Sequence, residues 1–292
     1  MMRVLIKALE KKADKYWYQN SLFFGVGFSI SPNGSVSAIE IKDGLIVGPY
    51  QPICVEDNFE IMQVDLTGQL SDYSLPQYLG KPYSGIGYEF NENLCDREVF
   101  LKNGVTYSEA QWGGNGVMSY FDVPNNKFGE VYEWYSNGTL KGIKISTNTD
   151  FFGSFNFTEN GELSYLGSCK GLLNNLDVIF NNAKFFPFES VSSLVKFRAA
   201  ATFVLFGDDI NDSFFKYLLE SKMLDGTSVL KLNSVNIKNI DLSELETLLE
   251  LHIENNNALT PAIGESEIIA LVEHAKKSNP NIKVIFNGQV IL

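Results

Sequence analysis

Two histidines, three cysteines and no apolar run of the ~18 residues that a bilayer span needs remove several function classes from this 292-residue chain at the outset. Cys54, Cys95 and Cys169 show neither metal-ligand nor redox spacing, so no disulfide framework is expected. An odd thiol count without a secretory leader suits reduced cysteines in a cytoplasm. His252 and His274 have no cysteine pair beside them to complete a zinc set and no positioned nucleophile to form a triad. Gly-x-Ser-x-Gly, phosphate-loop and dinucleotide fingerprints are missing as well. Positive charge is also scarce: 23 Lys and Arg stand against 35 Asp and Glu, a net charge of −12 that opposes nucleic-acid binding. These gaps lead to the expectation of a protein that is not an enzyme and that holds no cofactor and no metal.

What is present is core material. Hydrophobic residues make up 45% and aromatics 13%, enough for two folded domains. The acidity is uneven, with 8 basic against 18 acidic residues over 16–171 and 10 against 15 over 172–292. The opening "MMRVLIKALEKKADKYW" has an apolar stretch broken by Lys7, Glu10, Lys11 and Lys12, and reads as a short amphipathic helix. The glycines of "GVGFSISPNG" precede no helix that could present amides to a phosphate, and read as turn residues. Asp208, Asp209 and Asp212 of "FGDDINDS" lack the spacing of a calcium loop and read as a helix-capping turn.

One phrase keeps returning: "PNGSVSAIEI" at 32–41, "GNGVMSYFDV" at 114–123, "SNGTLKGIKI" at 136–145 and "ENGELSYLGS" at 159–168. With "LTGQLSDYSL" at 66–75 and "NENLCDREVF" at 91–100, the period is about 23 residues after an irregular first interval. Asn-Gly tolerates positive φ at both centres of a type I′ turn, so each unit reads as a hairpin. A second register overlies the first. "FFGVGFSI" at 23–30 is similar to "YSGIGYEF" at 83–90, and Asp43-Gly44 and Asn103-Gly104 share the same 60-residue offset.

From about residue 172 the periodicity changes. "NDSFFKYLLESKML" and "SEIIALVEHAKKSNP" read as helices, with Asn211 or Asp212 and Ser266 as caps and Gly226 and Pro280 as stops. Short strands lie at 202–207, 228–233, 249–254 and 282–287, with Leu205, Leu232, Ile253 and Phe286 at corresponding places and Lys231, Glu250 and His252 on an open face.

"GKPYSGIGYEFNENL", "GEVYEWYSNGTLKG" and "FTENGELSYL" resemble the MORN-variant repeats found in bacterial proteins often labelled antitoxins. "LLELHIENN", with Leu248, Leu251, Ile253 and Asn256, resembles a leucine-rich repeat. The implied fold class is α+β: a helix over 1–19, an elongated antiparallel sheet of MORN-like hairpins over 20–171, and a leucine-rich-repeat-like α/β unit over 172–292. The implied function is that of an immunity or antitoxin protein that binds and occludes a toxin domain. The partner would be a basic protein encoded nearby. The alternative is a scaffold or membrane-associated adaptor. Contact residues are expected among Glu109, Trp112, Tyr120, Asp122, Tyr132, Glu133, Trp134 and His252.

Overall fold

The computed structural model describes residues 1–55, 61–70, 75–123, 129–146, 151–173, 185–188, 190–238, 241–254 and 265–291. The fold is α+β, with far more strand than helix. Two compact units are present, Met1–Gly138 and Thr139–Leu292, so the division falls inside the stretch expected to form one hairpin array.

The first unit contains β1 (Met2–Leu5), β2 (Glu10–Lys12), β3 (Lys15–Tyr18), β4 (Ser21–Leu22), β5 (Gly25–Ile30), β6 (Val36–Lys42), β7 (Leu45–Pro49) and β8 (Gln63–Asp65). It continues with β9 (Gln77–Tyr78), β10 (Lys81–Pro82), β11 (Gly85–Asn91), β12 (Leu94–Lys102), β13 (Val105–Trp112), β14 (Met118–Val123) and β15 (Gly129–Trp134). Its plan is a duplication. β1 lies parallel to β5 with Val4 opposite Gly27, and β8 lies parallel to β11 with Val64 opposite Gly87, a displacement of 60 on both strands. β5 then carries β6 and β7, as β11 carries β12 and β13, all antiparallel.

The two copies interlock. Val4 bridges Leu94 of the second copy, and Val64 bridges Ser35 of the first. These bridges close the ring β1–β5–β6–β8–β11–β12, which hides edges that an open sheet would leave to other chains. Side chains repeat the pattern. A Cβ on Gly27 would lie 2.9 Å from Ile6, and one on Gly87 would run into Leu66, so both glycines admit the segment that crosses them. Phe28 and Tyr88, equivalent positions in the two copies, are fully buried and meet edge-to-face at 5.1 Å between centroids.

Residues 1–19 therefore form no α-helix, which corrects the sequence expectation: β1 is followed by a single 3₁₀ turn at Ile6–Ala8 and the strands β2 and β3. A lone helix would bury one apolar stripe. Pairing with β5 instead buries Arg3, Val4 and Leu5 to within 5% of complete, and this tertiary gain outweighs local propensity. The copies also differ in their continuation. β13 goes on to pair with β14 at Glu109 to Trp112, whereas Pro49, the last residue of β7, and Pro52 just beyond it stand at the corresponding places and supply no ladder donor.

Turn chemistry separates the two registers. Asp43-Gly44 and Asn103-Gly104 have positive φ at both residues (50° and 78°, 50° and 77°), as a type I′ connection requires. In the 23-residue phrase a single residue is left-handed, the glycine at positions 34, 68, 116, 138 and 161 and Glu92 (φ 56°) where the glycine is replaced. The N–H of Gly116, Gly138 and Gly161 donates to the carbonyl three residues earlier. Asn115 explains the difference, because its Oδ1 accepts from the Val117 N–H at 3.1 Å and so closes a local Asx turn.

The second unit begins with the antiparallel strands β16 (Leu140–Ser146), β17 (Phe151–Phe157) and β18 (Leu163–Ser168). After α1 (Val191–Leu194) come β19 (Ala199–Phe206), α2 (Asp212–Glu220), β20 (Val229–Asn233), β21 (Glu250–Glu254), α3 (Glu265–Ser278), β22 (Lys283–Phe286) and β23 (Gln289–Val290). From β18 to β22 neighbours are parallel and follow chain order, with Leu166, Leu205, Leu232, Ile253 and Phe286 in one register row. The first four of these are buried, and Leu242, Leu245 and Leu248 of the β20–β21 connection are buried too. Asn211 caps α2 by accepting from the Phe214 N–H at 3.0 Å, and Phe215 and Leu218 form the buried stripe of that helix. Asn256 lies outside the described residues.

Candidate functional site

Strand alternation in β11 to β15 collects charged residues on one face. One register row runs Glu89, Arg97, Gln111, Tyr120, Glu133, and the next contains Val99, Glu109, Asp122 and Val131. Arg97 is the cation of this strip. Its guanidinium donates to Glu109 at 3.0 Å and to the Leu70 carbonyl at 2.9 Å, and lies 3.5 Å from Glu89. Burial acts against its charge, but Glu109 and Glu89 outweigh that and hold its pKa above the ordinary guanidinium value. Asp122 faces Glu109 directly across the β13–β14 ladder. Its Oδ2 accepts from the Tyr120 hydroxyl at 3.1 Å. Burial, with Glu109 adding to it, raises the Asp122 pKa above the usual carboxylate range even though the Tyr120 bond pulls the other way. Burial and then Asp122 likewise raise the Tyr120 phenol.

Five of the eight expected contact residues lie on β13 to β15 in half-buried positions: Glu109, Tyr120, Asp122 and Glu133 on the strip, and Trp134 on the opposite face of β15 with Tyr132. The other three are placed differently. Tyr132 is fully buried, stacks on Trp134 at 6.0 Å and donates its hydroxyl to Glu130 at 2.9 Å, so it is a packing residue rather than a contact. Trp112 follows a register shift at Gln111 and lays its ring 3.8 Å above the Arg3 guanidinium carbon. His252 belongs to the second unit, where its Nε2 lies 2.9 Å from Glu250 and Lys283 lies 3.2 Å from the other oxygen of that carboxylate. The His252 and Lys283 bonds lower the Glu250 pKa.

Sequence reasoning missed the centre of the first unit. Arg3 and Glu98 form an ion pair at 2.8 Å with side chains 2% and 0% exposed. The Tyr50 hydroxyl accepts from Arg3 at 2.8 Å and donates to Glu98 at 3.0 Å, and the Cys54 N–H donates to the other Glu98 oxygen at 3.0 Å. Burial raises the Tyr50 phenol and pushes the Cys95 thiol up to about 12. The available signal was a single charge inside "MRVLI", a run of strand length. Among the described residues, no group of three His, Cys, Asp or Glu could hold a metal ion, and no helix is long and apolar enough to cross a membrane.

Comparison with known proteins adds little. No family model matches the sequence, and no curated protein does. Among solved structures, a glycosylation-associated protein (Gap123) complex from Streptococcus agalactiae is similar at 12% identity and a TM-score of 0.20, over 75% of this chain and 54% of that one. A structure of accessory secretory proteins 1, 2 and 3 from Streptococcus pneumoniae is similar at 10% identity and a TM-score of 0.20, over 97% of this chain and 44% of that one. The chain thus spans about half the length of the chains it matches.

Proposed function

We propose that this protein is a non-catalytic binding protein that receives a basic protein surface on the acidic strip of β13 to β15. The observation that carries this reading is the Glu109–Asp122 pair, two carboxylates placed directly opposite each other. Like charges in that position destabilise a sheet, and Arg97, already engaged by Glu89 and Glu109, does not contact Asp122. A lysine or arginine from a partner would offset the repulsion. The strip would also steer a basic protein toward its docking face. The chain's net charge of −12 and its resemblance to repeat proteins labelled antitoxins support a finer reading, in which the partner is a toxin domain that the protein occludes in the cytoplasm. The membrane-adaptor alternative is weakened because Arg3, one of the five basic residues in the first 15, is buried against Glu98.

The test is to co-express the chain with the toxin encoded beside it and measure survival and co-purification. Protection should be lost in an Asp122→Lys, Glu133→Lys variant, and binding by the native chain should weaken as salt is raised. Continued cell death with no co-purified complex would refute the toxin reading. Binding indifferent to both the charge reversal and salt would refute the acidic strip.

A further inference from the structure

Beyond the strip, the second unit contains a cleft of about 600 Å³ at the carboxyl ends of the adjacent parallel strands β18 and β19. That size suits a small molecule, and the carboxyl ends of parallel strands are a common place for ligands. We infer that this cleft binds a neutral carbohydrate, a pyranose of one or two rings.

The lining determines the class of ligand. Phe214 and Tyr217, one helical turn apart on α2, and Leu173 supply an apolar wall, while Asp208, Asn211 and Ser213 supply polar groups. The rim is held before any ligand arrives. Asp209 accepts from the Ser168 hydroxyl at 2.6 Å and from the Gly171 N–H at 2.7 Å, and one oxygen of Asp208 accepts from the Lys170 N–H at 3.1 Å. Those bonds occupy both Asp209 oxygens. The second oxygen of Asp208, the amide nitrogen of Asn211 and the hydroxyls of Ser213 and Tyr217 have no protein partner among the described residues.

Charge then narrows the choice. Asp208 and Asp209 repel phosphates and carboxylates, and among the described residues no group of three His, Cys, Asp or Glu could hold a metal ion there. A neutral ligand meets no such repulsion and needs no such ligand set. A pyranose has one face of C–H groups to lay on an aromatic ring and a rim of hydroxyls that donate and accept at once. It thereby matches the Phe214–Tyr217 wall and the mixed donors and acceptors of Asp208, Asn211 and Ser213. The cleft is formed within Thr139–Leu292, so this inference does not depend on the partner proposed for the first unit.

Saturation-transfer NMR on the full chain, with D-glucose, D-galactose and N-acetyl-D-glucosamine as probes, tests it. Transfer to the ring protons of at least one sugar is expected, with a Kd on the order of 1 mM. Tyr217→Ala should weaken binding by about tenfold or more, and Asp208→Asn, which keeps an acceptor for the Lys170 N–H, by several-fold. Should Tyr217→Ala fail to fold, as judged by circular dichroism, the exposed Ser213→Ala replaces it beside Asp208→Asn. No transfer from any of the three sugars, transfer unchanged in the folded variants, or binding of inorganic phosphate or calcium without sugar would each overturn the inference.

Discussion

Removing the Glu98 carboxylate should unfold the first unit far more readily than any change on its surface. Glu98→Ala deletes the acceptor of three bonds, from the Arg3 guanidinium, the Tyr50 hydroxyl and the Cys54 N–H, and leaves Arg3 charged with its side chain 2% exposed. Breaking a buried ion pair from one side costs about 3–5 kcal/mol. Orphaning a neutral donor costs about 1–3 kcal/mol, part of which the relaxing site recovers. We expect a total of about 4–5 kcal/mol, against a typical domain stability of roughly 5–15 kcal/mol. Fluorescence can read this unit alone, because all three tryptophans, Trp17, Trp112 and Trp134, lie within Met1–Gly138. With a urea slope of about 2 kcal/mol per molar, the midpoint should fall by about 2 M. The double variant Arg3→Met, Glu98→Met removes both charges and should recover most of that loss. A fall below about 0.5 M for Glu98→Ala, or a double variant as unstable as the single one, would refute the reasoning.

Asp122→Asn should stabilise the first unit at neutral pH by relieving its repulsion with Glu109, while weakening capture of a basic partner; tryptophan-monitored melting and pull-down read the two effects separately. Because burial raises the Cys95 thiol to about 12, its contribution to stability is fully present below the unfolded thiol value, near pH 9, and is lost as pH rises toward 12. Urea midpoints of the first unit should therefore drop between pH 9 and pH 11, and drop less in Cys95→Ala; identical losses in the two proteins would remove Cys95 from the account. Gly138→Ala, at φ +87°, should cost about 1–2 kcal/mol, whereas Gly48→Ala, with open space around its Cβ position, should change stability by less than about 0.5 kcal/mol in the same urea assay.

The parts of the fold that were readable before the structure are those whose forces act over a few residues. The I′ pairs at 43–44 and 103–104, the Asn211 cap and the register row from Leu205 to Phe286 all follow from turn chemistry and alternation. Helix prediction at the amino end failed because the pattern of "MRVLIKALE" could not reveal β5 waiting 23 residues downstream as a parallel partner. The glycine shared by "GVGF" and "GIGY" did carry that information. Gly27 and Gly87 are small because Ile6 and Leu66 cross them, but a sequence shows the vacancy without showing what fills it.

The same limit governs the candidate site. The structure sets Glu109, Tyr120, Asp122 and Glu133 on one face, each an even number of residues from its strand neighbours there, whereas the sequence grouped them only by region. Alternation along Val131 to Tyr135 set Tyr132 and Trp134 opposite Glu133, but it did not say which face is the core, because aromatic character is equally suited to a core and to an interface. Duplication supplies a distinction that alternation lacks. Where the first copy has Pro49 and Pro52, the second places Glu109 and Trp112 and continues into β14. Glu109 thus occurs where the second copy departs from the first, and its cross-strand neighbour Asp122 lies on β14, a strand without an equivalent among the described residues of the first copy. The carboxylates of the continuation add repulsion to the sheet, and under the function proposed above a basic partner would offset it.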